Sequence, residues 1–395
     1  MQLITILGTG NYCETCYVWG DRTACTSLFP VAACEWLRPA KVSVLLTTGA
    51  RGHKNWERLQ EELAGRTELC PVALTDGANE AELWENFRRI GNCATDPEIA
   101  LDVTHGFRSL PLVGLLTMAF LRASGKAEIR HVLYGAWDAR DQKNRSPVFD
   151  LTPFLRLLDW LAAVTLFETS GDSRELGELL RAYDRSAGRL VHGNSMADLG
   201  KILERLSVAL ALCRPADVGR EAGRAQSQLA AVGESLGSQP HAAPFAECLE
   251  SLRTAYAPLA EGGLRGMLRQ IEWYVERRRA LQAVVLAREW LVSLAAERCG
   301  MTAIDQREEV EQALNRAALS TWADRPKEDP SSAQIGPTFS TERDRLLITT
   351  WQQVADLRND VAHCGMRANP SPSKGIIQRI SDLPKTLERL LHELS

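Results

Sequence analysis

Near residue 152 the hydrophobic pattern changes period, and that change limits what this 395-residue chain can fold into. Before it, short apolar runs rich in branched residues alternate with helical stretches. The strand candidates are Leu3–Leu7, Val42–Thr48, Leu69–Leu74, Ile99–Thr104 and Ile129–Tyr134. Between them, Phe29–Leu37, Trp56–Leu63, Glu80–Ile90 and Leu110–Leu121 repeat at helical spacing. Near-continuous apolar strands joined by helices predict a parallel sheet covered on both faces, a Rossmann-like α/β domain. Thr15–Trp19 and Arg22–Thr26 flank Gly20-Asp21 and predict an inserted hairpin, and Val132–Ala136 with Val148–Leu151 predict a second.

After Thr152-Pro153, an N-cap followed by proline, no stretch resembles a strand. Helical patterns cover Phe154–Phe167, Leu176–Tyr183, Ala197–Leu212, Ala222–Leu236, Met267–Arg298 and Glu308–Leu319. Asp324–Thr341 reads as a polar loop. A last helical face runs through Ile376, Ile380, Leu383, Leu387, Leu390 and Leu394, with Pro384 as a kink or break. The domains expected are 1–151, α/β; 152–262, a helical connector; and 263–395, all-α.

Composition narrows the partners. With 45% hydrophobic and 24% charged residues and a net charge of −4, the chain carries no global nucleic-acid footprint. RNA contact would rest on a local patch or on the site itself. Arg277-Arg278-Arg279 is read first as a solvated helix face. Met1-Gln2 runs straight into the first strand and no apolar run approaches a membrane span, so a cytoplasmic protein without membrane contact is expected. The ten cysteines read as reduced thiols, and Cys13-Glu14-Thr15-Cys16 lacks a second pair or a histidine at metal spacing.

Two motifs carry chemistry. The first is Asp102-Val103-Thr104-His105-Gly106-Phe107-Arg108, which leaves an apolar strand and enters a helix. Ligands on such sheets bind beyond the carboxyl ends of the strands. A capped turn needs only one polar side chain; this one has four. Gly8-Thr9-Gly10-Asn11-Tyr12 and Thr47-Thr48-Gly49 leave other strands toward the same edge. Gly8-Thr9-Gly10 is not a dinucleotide fingerprint, because a third glycine is missing and a hairpin follows.

The second motif is Arg358-Asn359-Asp360-Val361-Ala362-His363. It sets a permanent cation near a side chain that titrates close to neutrality. Asn359 and His363 share a helix face, while Arg358 sits about 140° round from His363 on ideal geometry. The pair suits a phosphodiester: the imidazole moves a proton and the guanidinium stabilises charge on phosphorus. Arg185 and His192 have a looser spacing interrupted by Gly188, and are read as connector with a surface histidine.

Together and in this order, the motifs resemble the CRISPR-associated DxTHG-motif family, accessory ribonucleases of type III CRISPR systems. These join a CARF sensor domain to a HEPN nuclease domain. The matching parts are Gly8–Tyr12, Asp102–Arg108 as the DxTHG signature, and Leu357–Met366 around the Arg-x4-His. The resemblance implies an activator, a cyclic oligoadenylate, bound across a homodimer of sensors, with cyclic tetra-adenylate the first expectation. Gly8, Thr9, Gly10, Asn11, Tyr12, Thr47 and Thr48 would contact adenosine or phosphate, and Thr104, His105, Gly106 and Arg108 would ring the phosphates. Asp102 would buttress the loop.

The resemblance also implies metal-independent cleavage of single-stranded RNA, by attack of the 2′-hydroxyl on the neighbouring phosphate. His363 would supply acid/base catalysis, Arg358 would hold the phosphate, and Asn359 would orient either group. No cofactor is implied beyond the activator. Composite sites shared between two chains, and assemblies larger than a dimer, are compatible with it. The rival expectation is a sensor or regulator with no RNase output, or one whose sensor domain degrades its own ring ligand.

Overall fold

The computed structural model describes residues 1–106, 109–187, 196–237, 243–320, 337–340 and 342–394. The chain divides into two compact units, Met1–Asp159 and Trp160–Ser395. The division lies eight residues past the sequence boundary, inside a helix (159 − 151 = 8). The helical part forms one unit.

In the first unit the strands are β1 (Gln2–Leu7), β2 (Thr15–Trp19), β3 (Arg22–Thr26), β4 (Lys41–Leu46), β5 (Glu68–Ala73), β6 (Glu98–Asp102), β7 (Glu128–Gly135) and β8 (Arg145–Asp150). The helices are α1 (Phe29–Leu37), α2 (Thr48–Arg51), α3 (Lys54–Leu63), α4 (Glu80–Cys93), α5 (Leu110–Ala123) and the start of α6 (Thr152–Ser170). All eight strands form one mixed sheet, ordered β3-β2-β8-β7-β6-β1-β4-β5. The five from β7 to β5 are parallel, as the apolar runs predict. Both predicted hairpins form, β2–β3 and β7–β8, and β2 pairs parallel with β8 to extend the sheet.

Every residue of β1 is buried, because β1 lies between β4 and β6 and is covered on both faces. Leu3 and Leu7 pack with Val44, Phe29 and Leu59 on one side. Ile4 and Ile6 pack with Ile90, Leu101 and Met118 on the other. From β1 the chain moves outward to β4 and β5, then returns to β6 and β7 on the opposite side. The loops leaving β1 and β6 therefore flank the point where the winding reverses, where such sheets hold ligands.

The second unit holds the rest of α6, then α7 (Arg174–Ala187), α8 (Met196–Ala211), α9 (Pro215–Gly237), α10 (Ala243–Tyr256), α11 (Gly263–Glu276), α12 (Ala280–Cys299), α13 (Arg307–Ser320), α14 (Arg345–Ala362) and α15 (Ser373–Leu394). The single helix expected over Met267–Arg298 is two, α11 and α12. Arg278 takes a left-handed conformation at the break, with φ of 55°. The arginine triplet is thus a corner and not a solvated face. Arg277 donates to the Glu168 carbonyl and Arg279 to the Ser170 carbonyl, both stemming the loose end of α6. Pro384 stays inside α15, whose Ile380, Leu383, Leu387 and Leu390 are buried. The apolar face of α15 is therefore largely spent within the chain, against α11, α12 and α14.

A second correction concerns thiols. Cys16 and Cys25 form a disulfide across β2–β3. The two-residue turn at Gly20-Asp21 sets them directly opposite each other in the hairpin register, which brings the sulfurs together. The other eight cysteines are free. The start of α6 is capped by Asp150, whose carboxylate accepts from the Thr152 amide at 2.9 Å; the Thr152 hydroxyl accepts from the Val132 amide.

Candidate functional site

Three loops meet at the carboxyl edge of β1, β4 and β6. Asp102 ends β6 fully buried. Its carboxylate accepts from the Thr5 hydroxyl at 2.6 Å and the Thr104 amide at 2.8 Å, tying the motif loop to β1. Burial pushes its pKa up to about 6 despite those bonds. The Thr104 hydroxyl accepts from the Gly135 amide at 2.8 Å, fixing the loop to the end of β7. Gly106 closes a turn onto the Val103 carbonyl, and a Cβ there would lie 2.3 Å from Pro111 Cγ, so only glycine fits. Arg108 and Phe107 lie outside the described residues.

His105 is 8% exposed. Its Nε2 accepts from the Phe29 amide at 3.0 Å, at the start of α1. Burial pushes its pKa down to about 4, so the ring is neutral and carries its proton on Nδ1. Any ligand contact falls to that Nδ1–H. The imidazole stacks on Tyr12, with centroids 3.8 Å apart.

Tyr12 folds the β1 loop back on itself: its hydroxyl accepts from the Gly8 amide at 3.1 Å. Burial raises its pKa. A Cβ on Gly10 would sit 2.8 Å from the Tyr12 ring, which explains the glycine. Thr9 and Asn11 are exposed, and Thr47 caps α2 by accepting from the Ala50 amide. Thr48 is exposed beside it.

Asn55 on α3 was not singled out in the sequence. It is buried, and its Nδ2 donates to the Gly8 and Gly10 carbonyls at 3.0 and 2.9 Å. One polar residue in a helical run gives no signal of this kind. Tyr134, Trp137 and Asp138 beyond β7 were also missed. With Tyr12, Thr104 and His105 they line a cavity of about 210 Å³, next to Ser27. Two polar atoms there are buried without partners, Ser27 Oγ and Trp137 Nε1.

The second motif lies at the end of α14. His363 is the first residue past the helix, and its amide still donates to the Asn359 carbonyl at 3.1 Å. Cys364 and Gly365 then turn left-handed, with φ of 56° and 70°. Asn359 and His363 are exposed and Arg358 is half-buried. An Arg358 N–H donates to Asn359 Oδ1 at 3.2 Å. This draws the guanidinium toward the face that Asn359 shares with His363, across the angular gap ideal geometry leaves.

The nearby acids are committed elsewhere. Asp356 pairs with Arg367 at 2.9 Å and Arg379 at 3.2 Å. The Ser371 amide donates to Asp360 at 2.8 Å and holds its carboxyl below the usual range. Together they pin the segment after His363 and the start of α15. Of the looser pair, His192 lies outside the described residues. The polar loop 324–341 also lies outside them, apart from 337–340.

The fold and loops define a two-unit protein: an α/β sheet with a loop site at its winding reversal, and a helical unit bearing an exposed Arg-Asn-His end. The chain is similar to the CRISPR-associated protein MJ1674 of Methanocaldococcus jannaschii, with 32% identity over 113 residues. The match covers 28% of this chain and 18% of that protein's length. No family model matches the chain. Among the described residues, no helix is long and apolar enough to cross a membrane.

Proposed function

We propose that the chain is a cyclic-oligoadenylate-activated, metal-independent endoribonuclease of type III CRISPR defence, with a CARF sensor and a HEPN nuclease. The carrying observation is the Arg358–Asn359 hydrogen bond on an exposed helix end beside His363. It places cation, amide and imidazole where an RNA backbone can reach all three. His363 removes the proton from the 2′-hydroxyl or returns one to the departing 5′-oxygen. Arg358 stabilises the charge gathered on the phosphoryl oxygens. The similarity to a CRISPR-associated protein supports the biological setting.

The sensor reading draws on the loop cluster and on α5. That helix starts just past the motif loop and exposes Leu112, Leu116 and Phe120, one turn apart, at 64, 62 and 49%. A bare apolar stripe is a packing surface. Pairing α5 with its copy about a two-fold axis would set two sets of loops around one ring ligand. Trp137 Nε1–H and the Ser27 hydroxyl would then meet acceptors on the adenine bases or phosphates.

Cleavage of single-stranded RNA in EDTA, with and without cyclic tetra-adenylate and cyclic hexa-adenylate, tests the reading. Cleavage that needs one ring and survives EDTA is expected. Ring binding without cleavage would favour the regulator reading, and loss of the ring itself would favour a sensor that degrades its ligand.

A further inference from the structure

The helical unit contains a cavity of about 540 Å³ that none of the chemistry above uses. It lies where the α6–α7 corner, the end of α8 and the α11–α12 corner come together. Its walls include Val208, Leu210, Ala211, Trp273 and Tyr274, an aliphatic and aromatic lining. Two polar atoms on residues of this wall are buried with no partner: Ser173 Oγ, on a residue 0% exposed, and Trp273 Nε1, on a residue 4% exposed. The Trp273 edge next to Nε1 faces Gly171, where a Cβ would lie 2.7 Å from the ring. Buried polar groups are normally satisfied, and two orphans on one cavity wall point to an absent acceptor-bearing partner.

The charges around the cavity say what that partner is not. Asp172 forms a 2.5 Å ion pair with Arg174 and accepts from its amide, so the N-terminus of α7 already has its anion. Glu204 pairs with Arg181. Arg279 donates to the Ser170 carbonyl at 2.7 Å. Each charge has its counterpart or its carbonyl, so neither a phosphate nor a cation is called for. What is left is uncharged hydrogen bonding from Ser173 and Trp273, set in an apolar, aromatic hollow large enough for a nucleoside.

We infer that this cavity binds a nucleobase, either of a free nucleoside or of a base in an RNA strand, through the Ser173 hydroxyl and the Trp273 indole N–H. The test is calorimetry of the full chain with adenosine, guanosine, cytidine and uridine at ~1 mM each, and with the four homopolymeric trinucleotides. Saturable binding of at least one probe is expected. Binding of nucleosides marks a free ligand, and binding of trinucleotides alone marks a base of RNA. Ala211→Trp, at an exposed position on the lining, fills the hollow and should abolish binding with an unchanged Tm. Ser173→Ala should weaken binding about tenfold while raising Tm, because it removes a buried hydroxyl that has no partner. No binding by any probe, or equal binding in Ala211→Trp, overturns the inference.

Discussion

The two motif regions are held in opposite ways. The loop cluster of the α/β unit is buried and cross-tied: Asp102 joins β6 to β1, Thr104 joins it to β7, and His105 joins it to α1 and Tyr12. The Arg358–His363 end is exposed, and one hydrogen bond between neighbouring side chains orders it. A site whose polar groups are fixed in advance suits recognition of a rigid ligand, since little ordering remains to be done on binding. A site left open at a helix end has few partners within its own chain. It suits a long flexible substrate and becomes effective once something else completes it.

The largest effect that would sharpen this contrast lies at the open end. Arg358→Ala and His363→Ala should each lower RNA cleavage about a hundredfold or more, as expected for removing a charge stabiliser or an acid/base group. Their unfolding midpoints should stay near wild type, because both side chains are at the surface. Cleavage near the wild-type rate would remove the motif from catalysis.

In the loop cluster the leading effect is on stability and depends on pH. His105 is neutral when folded, with its pKa pushed down to about 4 from an ordinary value near 6.5. As pH falls from about 6.5 to about 4 the unfolded chain gains a proton there and the folded chain does not, so stability is lost. His105→Phe removes that loss. Its deficit relative to wild type in denaturant unfolding should shrink by about 3 kcal/mol between pH 7 and pH 4. Parallel pH curves would mean that His105 is not held neutral.

Asn55→Ala should come next, at about 2 kcal/mol, because it strands the Gly8 and Gly10 carbonyls together. It should also weaken cyclic tetra-adenylate binding, measured by calorimetry, if Gly8–Tyr12 is part of the reader. Asn359→Ala is the smallest of the series. Freed from its tether, Arg358 should still act, with cleavage lowered about tenfold.

The same contrast explains what was legible in the sequence. The parallel strands, both hairpins and the edge loops could be read because apolar period and turn residues are local signals. The winding that brings β1, β4 and β6 together followed from strand–helix alternation. Asn55 could not be read: its partners are backbone carbonyls 45 and 47 residues away, and carbonyls leave no mark in sequence. The break at Arg278 was hidden because no glycine or proline marks it. The Cys16–Cys25 pair was hidden by cysteine counting, although the hairpin register already set the two opposite. At the open end the sequence named Arg358, Asn359 and His363, and the Arg358–Asn359 contact is what the structure adds.

The most direct test of the division between reader and cutter is to measure both properties in both sites. Cyclic tetra-adenylate is titrated calorimetrically into His363→Ala and Asn55→Ala, and each variant is assayed for RNA cleavage at saturating ring. The account predicts wild-type affinity and lost cleavage for His363→Ala. For Asn55→Ala it predicts weakened affinity, with cleavage restored at high ring concentration. Weakened ring binding in His363→Ala, or lost cleavage in Asn55→Ala that no ring concentration restores while the chain stays folded, would contradict it.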